Sequence, residues 1–129
     1  MNEIKSGASL QGAYLPRTDL HEADLSSADL SGANLRASCL YRVNLFNANL
    51  AHANLSHANL AYANLSYADL SNADLLGANL IGANLFHANL RGADLSRADL
   101  RDANLTEAHL EGAQLYLAKN LPPIKGRDR

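Results

Sequence analysis

The six imidazole and thiol side chains of this sequence could bind a metal ion or take part in nucleophilic catalysis, and none of them forms a known motif. They are the five histidines and the single cysteine: His21, His52, His57, His87, His109 and Cys39. Zinc sites and nucleophilic sites need several such groups at close quarters, with a base or a carboxylate to orient them. Only His52 and His57 are close in sequence, and no carboxylate accompanies them. The sequence therefore predicts no catalytic, cofactor-binding or metal site, and we expect a protein that is not an enzyme.

Composition excludes several further classes of protein. The chain has 129 residues, a net charge of −2, 47% hydrophobic residues and only 5% aromatic residues. The charges are too balanced for a general nucleic-acid binder, and no apolar run is long enough to span a membrane. The first ten residues lack the apolar core of a secretory signal, and one cysteine cannot form a disulfide framework. We expect one cytoplasmic domain, with neither nucleic acid nor a membrane as its direct partner.

Leucine occupies every fifth position from Leu10 to Leu115, a spacing that fits neither a helix nor a continuous strand. Five residues advance a helix by about 500°, so successive leucines would wind around its surface. In a strand, an odd spacing would send successive leucines to opposite faces. Two positions before each leucine stands a small residue, which is Ala in 19 of the 22 repeats. Since residues two apart in an extended segment point the same way, this pattern predicts a short extended piece and then a corner, with the pair facing inward.

The residue between the inward pair completes the repeat. It is Asn ten times and Asp seven times, two residue types that hydrogen-bond locally to the backbone and favour turns. A short period repeated this often predicts a solenoid. The run Ala-(Asn/Asp)-Leu-x-x, unbroken in its Ala and Leu from Ala48 to Leu105, resembles the pentapeptide-repeat family. The resemblance implies an all-β fold, a right-handed quadrilateral parallel β-helix with one repeat per side and about five and a half coils.

The resemblance covers residues 6–117, which leaves a short segment at each end. We expect residues 1–5 to be a lead-in, and residues 118–129 to be a C-terminal cap followed by a mobile basic tail beyond Pro123. Met1 and Ile4 are the apolar residues available to cover the first coil. The candidate cap over the last coil is Tyr116, Leu117 and Leu121. Alternatively, Leu117 and Leu121 join two copies end to end, so the sequence leaves open a monomer or an end-to-end homodimer.

Stacking residues twenty positions apart turns the sequence into a map of surface columns. The map places most of the scarce aromatic side chains on two neighbouring sides of the rod. One interpretation is a protein-binding patch, and the other is that aromatic residues simply suit an exposed β surface and stack with their vertical neighbours. The candidate patch consists of Tyr41, Phe46, Tyr62, Tyr67, Ile81 and Phe86.

The same map predicts individual contacts. Arg42 lies between Glu22 and Tyr62 in one column, which predicts an ion pair on one side and a cation–π contact on the other. Arg91 and Glu111 are expected to pair in the same way. The repeats around Ser38 and Val43 depart from the pattern, and the larger Val43 side chain predicts a bulge in its coil.

These observations favour a non-catalytic pentapeptide-repeat protein that acts as a protein–protein interaction module with an unidentified protein partner. The resemblance also implies an alternative, because some members of the family mimic DNA and inhibit or protect DNA gyrase or topoisomerase. Such mimicry requires strong negative charge along the whole rod. Here the residue between the inward pair is Asn in every repeat from Asn44 to Asn64, which disfavours the alternative.

Overall fold

The structure, a computed structural model, describes residues 4–124 and contains no helix within them. Its regular structure consists of single-residue parallel bridges rather than longer strands, at every fifth residue from Ser9 to Lys119. Each bridge residue pairs with the residue 20 positions later, as Ser9 does with Asp29. Since each repeat has five residues, this pairing distance gives four sides per coil. The predicted all-β, four-sided parallel β-helix is therefore confirmed.

Leucine and small residues fill the interior. From Leu25 to Leu100 every leucine in the five-residue register is at most 1% exposed, and the small residues from Ala28 to Ala98 are equally buried. Leu10 and Leu15 in the first coil and Leu115 in the last are only partly buried, because no complete coil covers them. Burial of apolar area contributes about 25 cal/mol per Å², so the middle coils supply most of the hydrophobic stabilisation.

Each repeat can be described by five positions: the small residue, the bridge residue, the leucine, and a first and a second corner residue. Backbone hydrogen bonds of 2.7–3.1 Å satisfy four of their five N–H groups. The small residue donates to the carbonyl of the preceding leucine, and the bridge residue donates to the small residue of the coil below. The leucine and the second corner residue donate to the bridge residue and the first corner residue of the coil above. Only the N–H of the first corner residue lacks a backbone partner.

The Asn and Asp side chains supply the missing acceptor. In all ten Asn and seven Asp repeats, the N–H of the first corner residue donates to the bridge residue's Oδ1 at 2.9–3.2 Å. Where Tyr14 is the bridge residue, the first corner residue is Pro16, which has no N–H to satisfy. In these repeats the Asn or Asp thus satisfies a backbone N–H that has no backbone acceptor, which is favourable because an unpaired N–H is costly.

Every second corner residue from Gly7 to Leu117 has a left-handed backbone, with φ between +53° and +77°. Together with the hydrogen bond between the small residue and the preceding leucine, this geometry is that of a type II turn. Only seven of these positions hold glycine. The other corners therefore hold side chains in a conformation that costs about 1 kcal/mol or more without glycine, and the hydrogen bonds between coils must offset that cost.

At the corner between Leu15 and Thr18, a side-chain hydroxyl replaces the direct backbone hydrogen bond. The Ser38 hydroxyl, which is 1% exposed, donates to the Leu15 carbonyl at 2.6 Å and accepts from the Thr18 N–H at 3.1 Å. It therefore bridges the two groups that pair directly at the other corners. The predicted bulge at Val43 is wrong, because its N–H and carbonyl keep their regular bonds at 3.1 and 2.9 Å.

The C-terminal end also differs from the prediction. The repeats continue to the bridge at Lys119, so Tyr116 and Leu117 are corner residues that point outward, 68% and 52% exposed. Leu121 is 40% exposed as well, while Ile124 packs against the hydrophobic core. The predicted cap is corrected accordingly: Tyr116, Leu117 and Leu121 do not cover the last coil.

At the N-terminal end, Ile4 packs against the core, as expected for a residue that covers the first coil. Met1 lies outside the described residues. Residues 125–129, which make up most of the predicted mobile basic tail, also lie outside the described residues.

Candidate interaction surface

The six predicted patch residues lie along the two edges of one face of the rod. The bridge residues of this face are mostly asparagines, and we call it the amide face: Asp24, Asn44, Asn64, Asn84 and Asn104. The corner that leads into the face carries Tyr41, Tyr62 and Ile81, and the corner that leads out of it carries Phe46, Tyr67 and Phe86. The structure thus places three of the six along each edge, in the columns of the sequence map, and their binding role stays a prediction.

The outgoing edge is a continuous column of rings. The Tyr67 ring centroid is 5.8 Å from those of both Phe46 and Phe86, in edge-to-face geometry. The imidazole of His87 stacks flat on Tyr67, with 5.0 Å between centroids and 3° between planes. The sequence interpretation omitted His87, although its position twenty residues after Tyr67 could have identified it. Aromatic pairs contribute about 0.5–1.5 kcal/mol beyond burial, so the column is ordered by its own contacts.

The incoming edge differs in part from the prediction. Tyr41 and Tyr62 meet edge-to-face at 6.1 Å, and Arg42 Nε lies 3.8 Å from Glu22 Oε2, which confirms the ion pair. The cation–π contact of Arg42, however, is with Tyr41 at 6.0 Å and not with Tyr62. The reason is that Tyr62 leans over Gly82 in the coil above.

The other predicted ion pair, between Arg91 and Glu111, is also confirmed, with Nε and Oε1 3.3 Å apart. Both side chains are about half exposed or more. Exposed pairs of this kind contribute only about 0–1 kcal/mol, so neither ion pair decides the stability of the rod.

Because Gly82 has no side chain, the Tyr62 ring can lie against its backbone. A Cβ atom built on Gly82 would lie 2.5 Å from Tyr62 Cδ1, which is closer than real Cβ contacts. Tyr62 remains 55% exposed even so. Its ring borders an open groove of about 450 Å³, whose walls include Tyr41, Ile81 and Arg101. The absence of a side chain at Gly82 therefore shapes the incoming edge.

We predict that Gly82→Ala destabilises the protein by about 1–2 kcal/mol more than Gly32→Ala does. Both glycines have φ of +67°, but a Cβ on Gly32 meets nothing within 4 Å, whereas one on Gly82 overlaps Tyr62. The difference between the variants thus isolates the steric overlap from the cost of the left-handed backbone. Urea unfolding measures it, and equal losses of stability would contradict the placement of the ring. Adding Tyr62→Ala to both variants should abolish the difference, because the overlapping ring is then absent.

The middle of the rod carries almost no charge. No Asp, Glu, Lys or Arg occurs from residue 43 to residue 68, more than one full coil, and Asp69 and Asp74 are the charged residues from 69 to 90. Those two belong to the other faces. Carboxylates return near both ends of the amide face, with Asp24 at the lower end and Asp102 and Glu107 at the upper end.

Beside the lower end, the Nδ1–H of His21 donates to Asp19 Oδ1 at 2.7 Å. This hydrogen bond raises the pKa of His21 and lowers the pKa of Asp19 relative to their ordinary values. Because the pKa of Asp19 is lowered on folding, its ionised carboxylate stabilises the fold above about pH 4, and this stabilisation is lost on acidification. Because the pKa of His21 is raised on folding, its protonated imidazole stabilises the fold below about pH 6.5. This stabilisation is lost as the pH rises through the pKa of His21 in the folded protein. The pair therefore contributes most between those limits, and only slightly, because both groups are exposed.

Replacing Asp19 by Asn should lower the pKa of His21 toward its ordinary value. The substitution removes the negative charge but keeps an Oδ1 acceptor for the backbone N–H of His21. In the native protein this N–H donates to Asp19 Oδ1 at 3.2 Å, so the corner should be preserved. An NMR titration of the His21 ring protons measures the shift. The four other histidines serve as internal controls, and an unchanged His21 titration would contradict the pairing.

The residues that sequence analysis considered for chemistry remain apart. Within residues 4–124, no three or more His, Cys, Asp or Glu side chains lie close enough together to hold a metal ion. Cys39 is a partly buried bridge residue. Across the same residues, no helix is long and apolar enough to cross a membrane.

Comparison with known proteins gives one family. The family model described as pentapeptide repeats matches residues 6–40, 38–77 and 83–119. Comparison with curated protein sequences found no similar protein.

Three solved structures illustrate the likeness. HetL, a pentapeptide repeat protein involved in heterocyst differentiation regulation from the cyanobacterium Nostoc sp. strain PCC 7120, is 41% identical over 88% of this chain, with a TM-score of 0.63. The chain spans 60% of the length of HetL. A pentapeptide repeat protein of the Arabidopsis thaliana thylakoid lumen is 32% identical, covering 76% of this chain and 72% of its own, with a TM-score of 0.62. QnrB1, a plasmid-mediated fluoroquinolone resistance protein, is 23% identical over 95% of this chain and 73% of its own, with a TM-score of 0.53, a likeness in fold alone.

Proposed function

This chain belongs to the pentapeptide-repeat family, and we propose that it is a non-catalytic protein-interaction module whose contact surface is the amide face with its two aromatic edges. Proteins of this family are generally structural or interaction modules without catalytic activity. The partner is a protein that remains to be identified.

The observation that carries the proposal is the exposure of large aromatic side chains along the uncharged middle part of one face. Phe46, Tyr62 and Tyr67 are 43%, 55% and 48% exposed, and all three lie within or beside the stretch without charged residues. The buried parts of protein interfaces are enriched in Tyr and Phe and depleted of charge. Free aromatic surface of this kind is costly in water and is stabilised when a partner covers it.

The uncharged stretch also weighs against DNA mimicry of gyrase or topoisomerase substrates. A mimic of the duplex needs carboxylates spaced along the entire rod, whereas residues 43–68 contain none. The cytoplasmic location stays a prediction. The choice between a monomer and an end-to-end homodimer does too.

The test compares the native protein with the triple variant Tyr41→Ala, Phe46→Ser, Phe86→Ser in capture experiments from a lysate of the source organism. The replacement types already occupy the same columns, at Ala61 and at Ser26 and Ser66, so the fold should be kept. We expect the variant to lose its captured partner while its circular dichroism and melting stay native.

A matched control is Leu76→Ser, which removes an apolar corner residue away from the amide face and again copies its own column, at Ser56 and Ser96. This variant should capture the same partner as the native protein. If the triple variant captures an unchanged set of proteins, the amide face is not the contact surface.

A further inference from the structure

We propose that the groove over Ala61 binds a neutral aromatic side chain of a partner protein. This inference rests on the proposed function, since the groove lies along the incoming edge of the amide face, and it names the kind of residue that the partner contributes. Two observations support it: the spacing of the groove's walls, and the equivalent place on the outgoing edge, which the protein fills with a ring of its own.

The gap over Ala61 is one ring wide. Ala61 is a first corner residue, and it lies between Tyr41 in the coil below and Ile81 in the coil above. Two coils of about 4.8 Å separate the backbones of these two wall residues by about 9.6 Å. A ring midway between them would be about 4.8 Å from each, within the range of about 4.5–7 Å at which aromatic rings contact one another. The methyl group of Ala61 leaves this place open.

The outgoing edge has the same arrangement with its gap filled. Ser66 is the small first corner residue there, between Phe46 and Phe86. The Tyr67 ring occupies the gap, 5.8 Å from the ring centroids of both phenylalanines. Each of these residues stands five positions after its counterpart on the incoming edge, so Tyr67 corresponds to Tyr62. A ring is therefore a suitable occupant of a gap with this geometry.

The second corner residue of the coil above explains why only one gap is filled. On the outgoing edge this residue is His87, whose imidazole stacks on the Tyr67 ring with 5.0 Å between centroids. On the incoming edge it is Gly82, and the Tyr62 ring lies against its backbone. The Tyr62 ring thus forms one side of the groove, 55% exposed, and does not fill the gap.

The polar groups of the groove suit an aromatic residue that belongs to a peptide chain. The floor extends onto the neighbouring face, where the Oδ1 atoms of Asn59 and Asn79 accept corner N–H groups at 3.0 Å. Their Nδ2 groups have no hydrogen-bond partner among residues 4–124, so they are free to donate to backbone carbonyls beside the ring. Arg101 and Asp102 at the upper end carry opposite charges, which favours a neutral side chain.

The first test titrates the full chain, observed by NMR, with N-acetyl-tyrosinamide and, for comparison, with N-acetyl-leucinamide. A compound this small should bind weakly, with a Kd on the order of 1 mM. Because Tyr41 and Tyr62 both offer ring contacts, we expect the tyrosine compound to bind at least about fivefold more tightly and to shift the signals of Ala61. Equal binding of the two compounds, or shifts confined to other parts of the rod, would overturn the inference.

The second test closes the groove with side chains that the protein already uses at equivalent corners. Ala61→Tyr copies Tyr41 of the same column and places a ring in the gap. Gly82→His copies His87, which has a similar left-handed backbone, and should move the Tyr62 ring from Gly82 into the gap. We expect each variant to keep native circular dichroism and to bind the tyrosine compound at least about fivefold more weakly.

Matched controls add the same side chains away from the groove. Ala51→Tyr changes a first corner residue on another edge, and Gly32→His changes a second corner residue whose Cβ would meet nothing within 4 Å. Both controls should bind the tyrosine compound like the native protein. If folded Ala61→Tyr and Gly82→His variants bind it as well as their controls do, the ring does not enter the groove and the inference is wrong.

The outcomes separate this inference from the proposed function. If the triple variant loses its captured partner but the Ala61→Tyr variant keeps it, the amide face is the contact surface and the inference is wrong. If the triple variant captures an unchanged set of proteins, the proposed function is wrong and the inference fails with it. Loss of the same captured partner in the triple variant and in Ala61→Tyr, but not in Ala51→Tyr, supports both.

Discussion

Replacing Leu60 by arginine should prevent the protein from folding. Leu60 is 0% exposed and stacks in the core between the leucines twenty residues before and after it. A guanidinium at this position has no acceptor within the apolar interior, and burying an unpaired charge costs at least several kcal/mol. That cost is comparable with the whole stability of a small domain, about 5–15 kcal/mol. Soluble yield, circular dichroism and thermal melting measure the outcome.

Two matched substitutions keep this prediction specific. Leu60→Met changes the shape but not the polarity of the side chain, and should cost less than about 1.5 kcal/mol. Tyr62→Arg places the same charge two residues away on an exposed corner, and should leave the fold intact. A soluble Leu60→Arg variant with native melting would contradict the assignment of the leucine column to the interior.

Replacing Asn64 by alanine should destabilise the protein by about 2–6 kcal/mol. The Oδ1 atom of Asn64 accepts both the N–H of Ser66 at 3.1 Å and its hydroxyl at 2.6 Å, and Ser66 is only 6% exposed. Alanine leaves both donors buried without an acceptor, at about 1–3 kcal/mol each when neither finds water. Urea unfolding measures the loss.

The control for this prediction is Asn64→Asp, since aspartate offers the same acceptor and its neighbours in the column, Asn44 and Asn84, are uncharged. We expect this variant to keep most of the native stability. Equal destabilisation by Ala and Asp would mean that the amide matters for some reason other than its oxygen, and would contradict the role assigned to the bridge residues.

The core could be predicted because every repeat places its leucine in the same surroundings. A period of five shows which residues share the interior, so the burial of Leu60 and Leu65 can be predicted from the sequence alone. The number of sides is different. A coil of three, four or five repeats would keep the same period, so the pairing of Ser9 with Asp29 could only be inferred from the family resemblance.

The hydrogen-bonding role of Asn and Asp was only partly predictable. The sequence indicated local bonds to the backbone, but which N–H needs them depends on which groups the neighbouring coils already satisfy. The buried hydroxyl of Ser38 follows the same logic, since its partners Leu15 and Thr18 lie in the coil below. Contacts of this kind follow from stacking and are not visible in any single repeat.

For the candidate surface, the sequence predicted which residues share a column, but it did not predict the direction in which each side chain points. The map placed Tyr41, Tyr62 and Arg42 together correctly. It could not show that the Tyr62 ring lies over the backbone of Gly82, or that Arg42 makes its cation–π contact with Tyr41 instead. The course of the chain beyond Lys119 was missed for a similar reason, because the contact of Ile124 with the core lies outside the repeat.

The pairing of residues twenty apart limits how this protein can change in length. An insertion of five residues in the middle of the rod would preserve the leucine interior, yet it would turn every later coil by one side and separate Phe46 from Tyr67 and Phe86. An insertion of twenty residues would keep every column aligned and only extend the face. A lineage that retains the aromatic column should therefore vary by whole coils, and changes of a single repeat should be confined to the ends.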